Sequence, residues 1–213
     1  MPAWVFVHNG QPRAAVGFSF GLLLALFVRP GLVSDMAEEV KETVKQMHEL
    51  GRELAVEVPV RSNSAKRLAG QLVGRHATIF GSGFMAPVAR RWKCQVNEVA
   101  KAVASFEFLP EADHNTLAGI CNPESGFNQE IAIFLQASKD HVRNQKRVLE
   151  TRQVMLQEGL NTDMIEARGN SRLTQMWTTI LFGDFVSYYL AMLYDIDPTA
   201  IEPIWALKDA MSK

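Results

Sequence analysis

The chain has 213 residues, of which 47% are hydrophobic and 21% are charged, and its formal net charge is −1. This length suits one large domain, or one domain with an appended piece, that buries its core without disulfide or metal support. The balanced charge argues against general nucleic-acid binding, which requires clustered excess Lys and Arg. The dense basic run, Arg90-Arg91-Trp92-Lys93, alternates with apolar residues and is interpreted as the solvated side of a helix.

The amino-terminal part of the chain predicts two helices. In chain order, the segments are an extended stretch 1–12, a helix 13–28 broken by Pro30-Gly31, a helix from a Ser34 cap to about Leu54, and a linker 55–63. In the second helix, apolar residues recur at three- and four-residue steps and charges fill the other face. The run 18–28 is strongly apolar but only about half as long as a bilayer span, so we expect a buried helix and no membrane segment.

Beyond the linker, helices alternate with short strands. In chain order, we predict a helix 64–73, a strand 77–80, a helix 85–104, a strand 106–108, a strand 130–135, a helix 139–158, a strand 164–167, and helices 173–194 and 199–211. This alternation favours an α/β fold in which a parallel sheet is covered on both faces. Ligands of such sheets bind at the carboxyl ends of the strands.

A glycine-rich turn, Gly81-Ser82-Gly83, directly follows the first predicted strand and precedes a helix with Pro87 near its first turn. The order of strand, turn and helix is similar to a phosphate-binding loop, so Gly81 and Ser82 are candidate substrate contacts. Tight turns at strand ends also use glycine for packing alone, and that alternative stays open.

Glu98 and His114 are the two candidates for moving a proton near neutral pH. Helical spacing places Cys94 and Ala102 on the same face as Glu98, although a solvated helix glutamate is the alternative. His114 follows Glu111 and Asp113, whose carboxylates could orient the imidazole ring and stabilise its charged form, although a purely structural histidine is the alternative. Because neither residue accompanies a Ser or Cys in a recognisable elbow, the pair indicates proton transfer rather than acyl transfer.

Two cations complete the set of candidates. Lys208 lies on the last predicted helix, where a lysine that compensates the helix dipole is the alternative. Arg13 follows a proline-fixed turn, where a guanidinium could hold an anion or an enediolate oxygen.

No metal site is predicted, because the cysteines and the five histidines show no ligand spacing. Cys94 and Cys121 are expected to be small buried thiols in a reducing cytoplasm. The start of the sequence shows no basic region of a signal peptide, which also favours a cytoplasmic protein.

Taken together, these fragments resemble the bifunctional phosphoglucose/phosphomannose isomerases, which are built from two sugar-isomerase (SIS) domains. The matching motifs, in chain order, are Gln11-Pro12-Arg13-Ala14-Ala15, Gly81-Ser82, Arg91-Trp92-Lys93, Asn97-Glu98 with Lys101, Leu109-Pro110-Glu111 with His114-Asn115, Gly183-Asp184-Phe185-Val186-Ser187-Tyr188-Tyr189-Leu190-Ala191, Asp197-Pro198 and Leu207-Lys208. Each motif is short, but the ordered set covers the whole chain.

The resemblance implies a three-layer αβα SIS domain over 61–213, preceded by linking helices in 1–60. It implies that Glu98 moves a proton between C2 and C1 of a hexose 6-phosphate, that His114 and Lys208 assist ring opening, and that Arg13 stabilises the cis-enediolate. The histidine comes from the neighbouring subunit in that family, so a homodimer is implied. No metal or organic cofactor is implied.

One feature of the family is missing from this sequence. We find neither a Gly-Gly-Ser loop nor a Ser-x-Ser-Gly-x-Thr run, the motifs with which the first SIS domain grips the substrate phosphate. We therefore expect this chain to be the carboxyl-terminal half of the enzyme, with a possible separate amino-terminal SIS domain as its partner. A non-catalytic SIS module that binds a sugar phosphate or mediates dimerisation is the alternative, and another SIS-type aldose–ketose isomerase is a third possibility.

Overall fold

The computed structural model describes Val5 and residues 7–212, and its contacts divide the chain into two units, 1–38 and 39–213. Part of the predicted extended segment 1–12 lies outside the described residues. The predicted domain boundary after residue 60 stays a prediction.

The first unit contains a 3-10 turn, Pro12–Ala14, and helix α1, Val16–Val28. The turn replaces the start of the predicted helix 13–28, since the Ala14 amide bonds to the Gln11 carbonyl at 2.9 Å. No residue of α1 is buried, so the expected buried helix is wrong. An isolated helix that is apolar all round has no second layer to cover it within the described residues of this unit.

Helix α2, Ala37–Glu53, starts after the predicted cap. The carboxylate of Asp35, not the Ser34 hydroxyl, accepts the Ala37 amide at 2.9 Å. In the second unit, α2 is joined to the long helix α6, Arg172–Leu193, by a buried 2.9 Å hydrogen bond between the hydroxyls of Thr43 and Thr174.

Four parallel strands form the sheet of the second unit, in the order β2-β1-β3-β4. They are β1, His76–Ser82; β2, Ala104–Leu109; β3, Glu130–Gln136; and β4, Asn161–Glu166. The remaining helices are α3, Ser64–Leu72; α4, Ala86–Ala100; α5, Val142–Gln157; and α7, Glu202–Met211. The predicted α/β fold with a parallel sheet is confirmed.

Successive side chains of each strand point to opposite faces of the sheet, so a separate core forms on each face. Ile79 of β1 packs into a cluster with residues of α3, α4 and α6, whereas the next residue, Phe80, joins a cluster with residues of α5. Phe80 stacks on Phe134 of β3 with ring centroids 4.7 Å apart. Helices therefore cover both faces, which gives the three-layer αβα arrangement.

The end of α4 differs from the prediction. Val96, Val99 and Val103 continue the apolar period and predict a helix to residue 104, but α4 ends at Ala100. Lys101 takes a left-handed conformation with φ of 52°, which stops the helix. Val103 is 71% exposed, so it does not belong to the apolar face of α4.

Helix α6 is long and apolar enough to cross a membrane by length and composition, but just over half of its apolar stretch is buried in this chain. Its buried residues pack against α3 and α4. The helix therefore has the burial of a core element.

Helices α4 and α6 approach each other closely at Gly183. A Cβ there would overlap the indole ring of Trp92, which is 1% exposed and donates from Nε1 to the Thr179 carbonyl at 2.8 Å. We expect Gly183→Ala to lower the free energy of unfolding by about 1–3 kcal/mol, because the indole ring has no free space into which to move. Urea denaturation measures this change.

Gly70→Ala is the matched control, since Gly70 lies inside α3 with no atom within 4 Å of the added Cβ. It should stabilise the protein by about 0.5–1 kcal/mol, because alanine is the better helix former. Equal effects of the two substitutions would contradict the packing argument.

Candidate active site

Glu98 lies in the last turn of α4, at the edge of the sheet where the strands begin. Gly81, at the carboxyl end of β1, packs on the first turns of α4, and the helix then runs back toward the amino end of β2. A pocket beside its last turn is lined by residues 74–76 and 100–103, which confirms this position. Glu98 therefore does not lie at the carboxyl ends of the strands, where ligands of such sheets generally bind.

The side chain of Glu98 is partly buried, and so is Cys94 one turn earlier. Ala102 lies beyond the end of the helix, so the predicted shared face of the three residues is wrong at that position. The structure instead places Lys101 beside Glu98, with Nζ donating to the Glu98 carbonyl at 2.9 Å.

His114 lies at the opposite edge of the sheet, just after β2 and the 3-10 turn Glu111–Asp113. The imidazole is exposed. The neighbouring carboxylates have other partners: Glu111 accepts from Asn115 at 2.9 Å, and Asp113 accepts from Arg147 at 2.5 Å. Within residues 7–212, the structure shows no hydrogen bond to the His114 ring, so the expected orientation of the ring by these acids is not found.

Strand β2 separates the two candidates for proton transfer. It runs for six residues, Ala104–Leu109, from the edge near Glu98 to the edge near His114. At about 3.3 Å per residue, the strand alone spans roughly 16 Å. The length of β2 therefore disfavours an arrangement in which Glu98 and His114 of one chain act on adjacent atoms of one sugar.

The glycine-rich turn after β1 is packed tightly. Ser82 is 2% exposed, and its hydroxyl donates to Asp140 at 2.6 Å. A Cβ on Gly81 would lie 2.6 Å from the Met85 carbonyl oxygen, and Gly83 adopts φ of +48°. These contacts favour the packing alternative for the turn, and a carboxylate at this position disfavours a phosphate by charge repulsion.

The two predicted cations lie in different units. Lys208 lies on α7, and every described residue of this helix is exposed. Arg13 lies in the 3-10 turn of the first unit.

Comparison with known proteins identifies the family. Residues 61–211 match the family model described as the bacterial phospho-glucose isomerase C-terminal SIS domain. The chain belongs to this family. A bifunctional phosphoglucose/phosphomannose isomerase of Caldicellulosiruptor bescii is 38% identical over 204 residues, which are 95% of this chain and 60% of that protein. A protein with the same description from Aquifex aeolicus is 31% identical over 203 residues, 95% of this chain and 59% of its own.

Among solved structures, a glucose-6-phosphate isomerase like protein from Thermus thermophilus superimposes with a TM-score of 0.71 at 23% identity. The match covers 93% of this chain and 62% of that one, and it shows the shared SIS fold. The chain thus spans about three fifths of the length of each of these proteins.

The family motifs around Arg91 and Asp184 meet between α4 and α6. Gln95 Nε2 donates to Asp184 Oδ1 at 2.7 Å, and Arg91 Nη2 lies 3.5 Å from the same oxygen. Burial raises the pKa of Asp184, and the Arg91 charge and the Gln95 hydrogen bond oppose that rise. The solvated role predicted for the basic run is therefore wrong for Arg91. The sequence signal that could have revealed this cluster is Asp184 itself, the single acidic residue within the apolar segment 173–194.

A second polar cluster was not predicted. His76 Nδ1 lies 3.1 Å from Glu130 Oε1, and His76 Nε2 lies 3.0 Å from Ser105 Oγ. The three side chains come from β1, β3 and β2 and share one face of the sheet. Sequence patterns within single segments do not bring them together.

The cysteines differ from the expectation of two buried thiols. Cys94 is half-buried, whereas Cys121 is exposed, with Sγ 3.9 Å from a carboxylate oxygen of Glu158. Cys121 follows a 3-10 turn in the segment between β2 and β3, which contains 3-10 turns but no α-helix. In the part of the chain that the structure describes, no group of three or more His, Cys, Asp or Glu side chains could hold a metal ion.

Proposed function

We propose that this chain is the proton-transferring, carboxyl-terminal half of a sugar-phosphate isomerase that interconverts glucose 6-phosphate or mannose 6-phosphate with fructose 6-phosphate. The observation that carries the proposal is the family match, combined with the retention of Glu98 in a partly buried position in the last turn of α4. The relatives carry the printed description of bifunctional phosphoglucose/phosphomannose isomerases.

The proposed chemistry follows from what aldose–ketose isomerisation requires. The C2 proton becomes acidic only when the ring is open and the carbonyl is polarised. Glu98 takes this proton and returns it to C1, while His114 and Lys208 assist ring opening and Arg13 stabilises the cis-enediolate. These side chains exchange protons and stabilise charge, so no metal or organic cofactor is required.

The separation of Glu98 and His114 supports a homodimer. If both residues serve one sugar, His114 must come from a second copy of the chain, because β2 holds the two at opposite edges of the sheet. The exposure of the imidazole fits this role. A twofold-symmetric dimer then contains two equivalent shared sites.

The substrate phosphate needs a further binding element. Ser82 already donates its hydroxyl to Asp140, which supports a phosphate site outside this turn. The relatives are longer than this chain by about two fifths of their length, and we assign the phosphate grip to an amino-terminal SIS domain corresponding to that part. The contacts of Gly81 and Ser82 with substrate stay a prediction. Hexose phosphates and two free cysteines fit the cytoplasm.

A fusion protein tests this proposal. The amino-terminal part of the Caldicellulosiruptor bescii relative that this chain does not match is joined to residues 1–213. We expect the fusion to convert glucose 6-phosphate and mannose 6-phosphate to fructose 6-phosphate, and to exchange the C2 proton with deuterated solvent. The amino-terminal part alone is the control and should be inactive.

A folded, dimeric fusion that binds fructose 6-phosphate without turnover or proton exchange would refute the proposed activity. That result would instead support the non-catalytic SIS module, which needs binding contacts but no base. Turnover of arabinose 5-phosphate in place of hexose phosphates would indicate another SIS-type isomerase.

A further inference from the structure

We propose that Lys101 is a positioning residue of the site, which holds the turn that carries Glu98 against the segment that leads to Lys208. This role rests on the proposed isomerase function and assigns Lys101 no contact with substrate. The proposal stands on the hydrogen bonds that the Lys101 ammonium makes to two distant parts of the second unit.

The Lys101 ammonium bonds to three carbonyl oxygens. Nζ donates to the Glu98 carbonyl at 2.9 Å, to the Pro198 carbonyl at 3.1 Å, and more weakly to the Val99 carbonyl at 3.4 Å. A lysine ammonium has three N–H donors, so it can donate to all three carbonyls.

The contacts at Glu98 and Val99 are those of a helix cap. The last four carbonyls of an α-helix lack intrahelical partners, and a cation there also compensates the helix dipole. Lys101 reaches back to them because its left-handed backbone, with φ of 52°, reverses the chain after α4. Asn97 strengthens the same turn by donating from Nδ2 to the Ala102 carbonyl at 2.8 Å.

The contact with Pro198 goes beyond an ordinary helix cap, because it joins the end of α4 to a distant part of the chain. Pro198 is 97 positions away in sequence and lies in the segment between α6 and α7. α7 begins four residues later, at Glu202, and carries Lys208. One ammonium therefore links the backbone of the proposed base to the connection that leads into the helix of the proposed ring-opening lysine.

This link matters because α7 contributes no buried residue of its own. All of its described residues are exposed, including Trp205 at 46% and Leu207 at 62%. The Lys101 bond to Pro198 is therefore one contact that fixes the segment leading into α7. A displacement of about 1 Å between groups that act on one substrate lowers the rate by up to about 100-fold.

The test is Lys101→Met in the fused two-domain protein. Methionine keeps an apolar side chain of similar length and adopts the left-handed backbone conformation no more easily than lysine does, but it removes the ammonium. We expect kcat to fall about 10- to 100-fold with KM changed less than about threefold, because the geometry of the reacting groups changes rather than the phosphate grip. Hydrogen exchange of the backbone amides of residues 98–102 and 197–201 should become faster.

Lys66→Met is the matched control. The Lys66 ammonium also bonds to two carbonyls, those of Val56 at 2.7 Å and Val58 at 2.8 Å, but at the start of α3. The Lys66→Met substitution should lower the free energy of unfolding by a similar amount, but leave kcat and the hydrogen exchange of residues 197–201 unchanged.

Two results would overturn the role of Lys101: a wild-type kcat in the Lys101→Met fusion, or unchanged exchange at residues 197–201. If the unmodified fusion is inactive, the proposed isomerase function fails, and with it the positioning role. Faster exchange in Lys101→Met would then show that the link itself exists.

Discussion

Replacing Glu98 with glutamine is expected to lower kcat of the fused protein by about 100- to 10,000-fold, the range that removal of a general base produces. Glutamine has nearly the same size and can accept a hydrogen bond, but it cannot take the C2 proton. Because the amide keeps the shape of the site, KM for glucose 6-phosphate should change little. Isomerisation and solvent exchange of the C2 proton should fall together, since both depend on the same base.

The matched control is Glu150→Gln, which alters an exposed glutamate on α5. It should leave both rates unchanged. A Glu98→Gln protein that keeps wild-type exchange of the C2 proton would exclude Glu98 as the base, even if its overall isomerisation were slow.

The second large effect is expected from mixed dimers. Two differently tagged fusions, one with Glu98→Gln and one with His114→Ala, are co-expressed and the heterodimer is purified through both tags. If each site takes Glu98 from one subunit and His114 from the other, one of the two sites in this dimer is intact. We therefore expect about half of the wild-type activity from two chains that are each inactive as homodimers.

The decisive comparison is a heterodimer of the wild-type chain with a chain that carries both substitutions. Shared sites place one defect in each site, so this dimer should be nearly inactive. Sites contained within single chains predict the reverse, with about half activity here and none in the first heterodimer. That reversed outcome would contradict the shared site. The length and direction of β2 favour the shared site.

The order of the elements in the second unit could be predicted because it depends on local patterns. Short β-rich runs such as Ala77–Phe80 alternate with segments of helical period, and this alternation permits few arrangements other than a covered parallel sheet. Motifs around Glu98 and His114 likewise identified the family through residues that lie close together in sequence.

The ends of the elements were harder to predict. Val103 fits the helical period of α4, but the backbone reverses at Lys101 and β2 begins at Ala104, where it pairs with Ala77 of β1. Pairing with a distant strand outweighed a local helix pattern. For α1, composition indicated burial, but burial depends on which other layers are present, and no residue of the helix is buried.

The sequence by itself determined the fold class, the family and the identity of the candidate base, because each of these is encoded in local order and residue type. Only the tertiary structure decided that Glu98 and His114 lie at opposite edges of the sheet, since the length and direction of β2 set their separation. It also decided that the Lys101 ammonium reaches Pro198. Contacts between residues so far apart in the chain arise from the packing of α4 and α6 against the sheet, and no pattern within one segment records them.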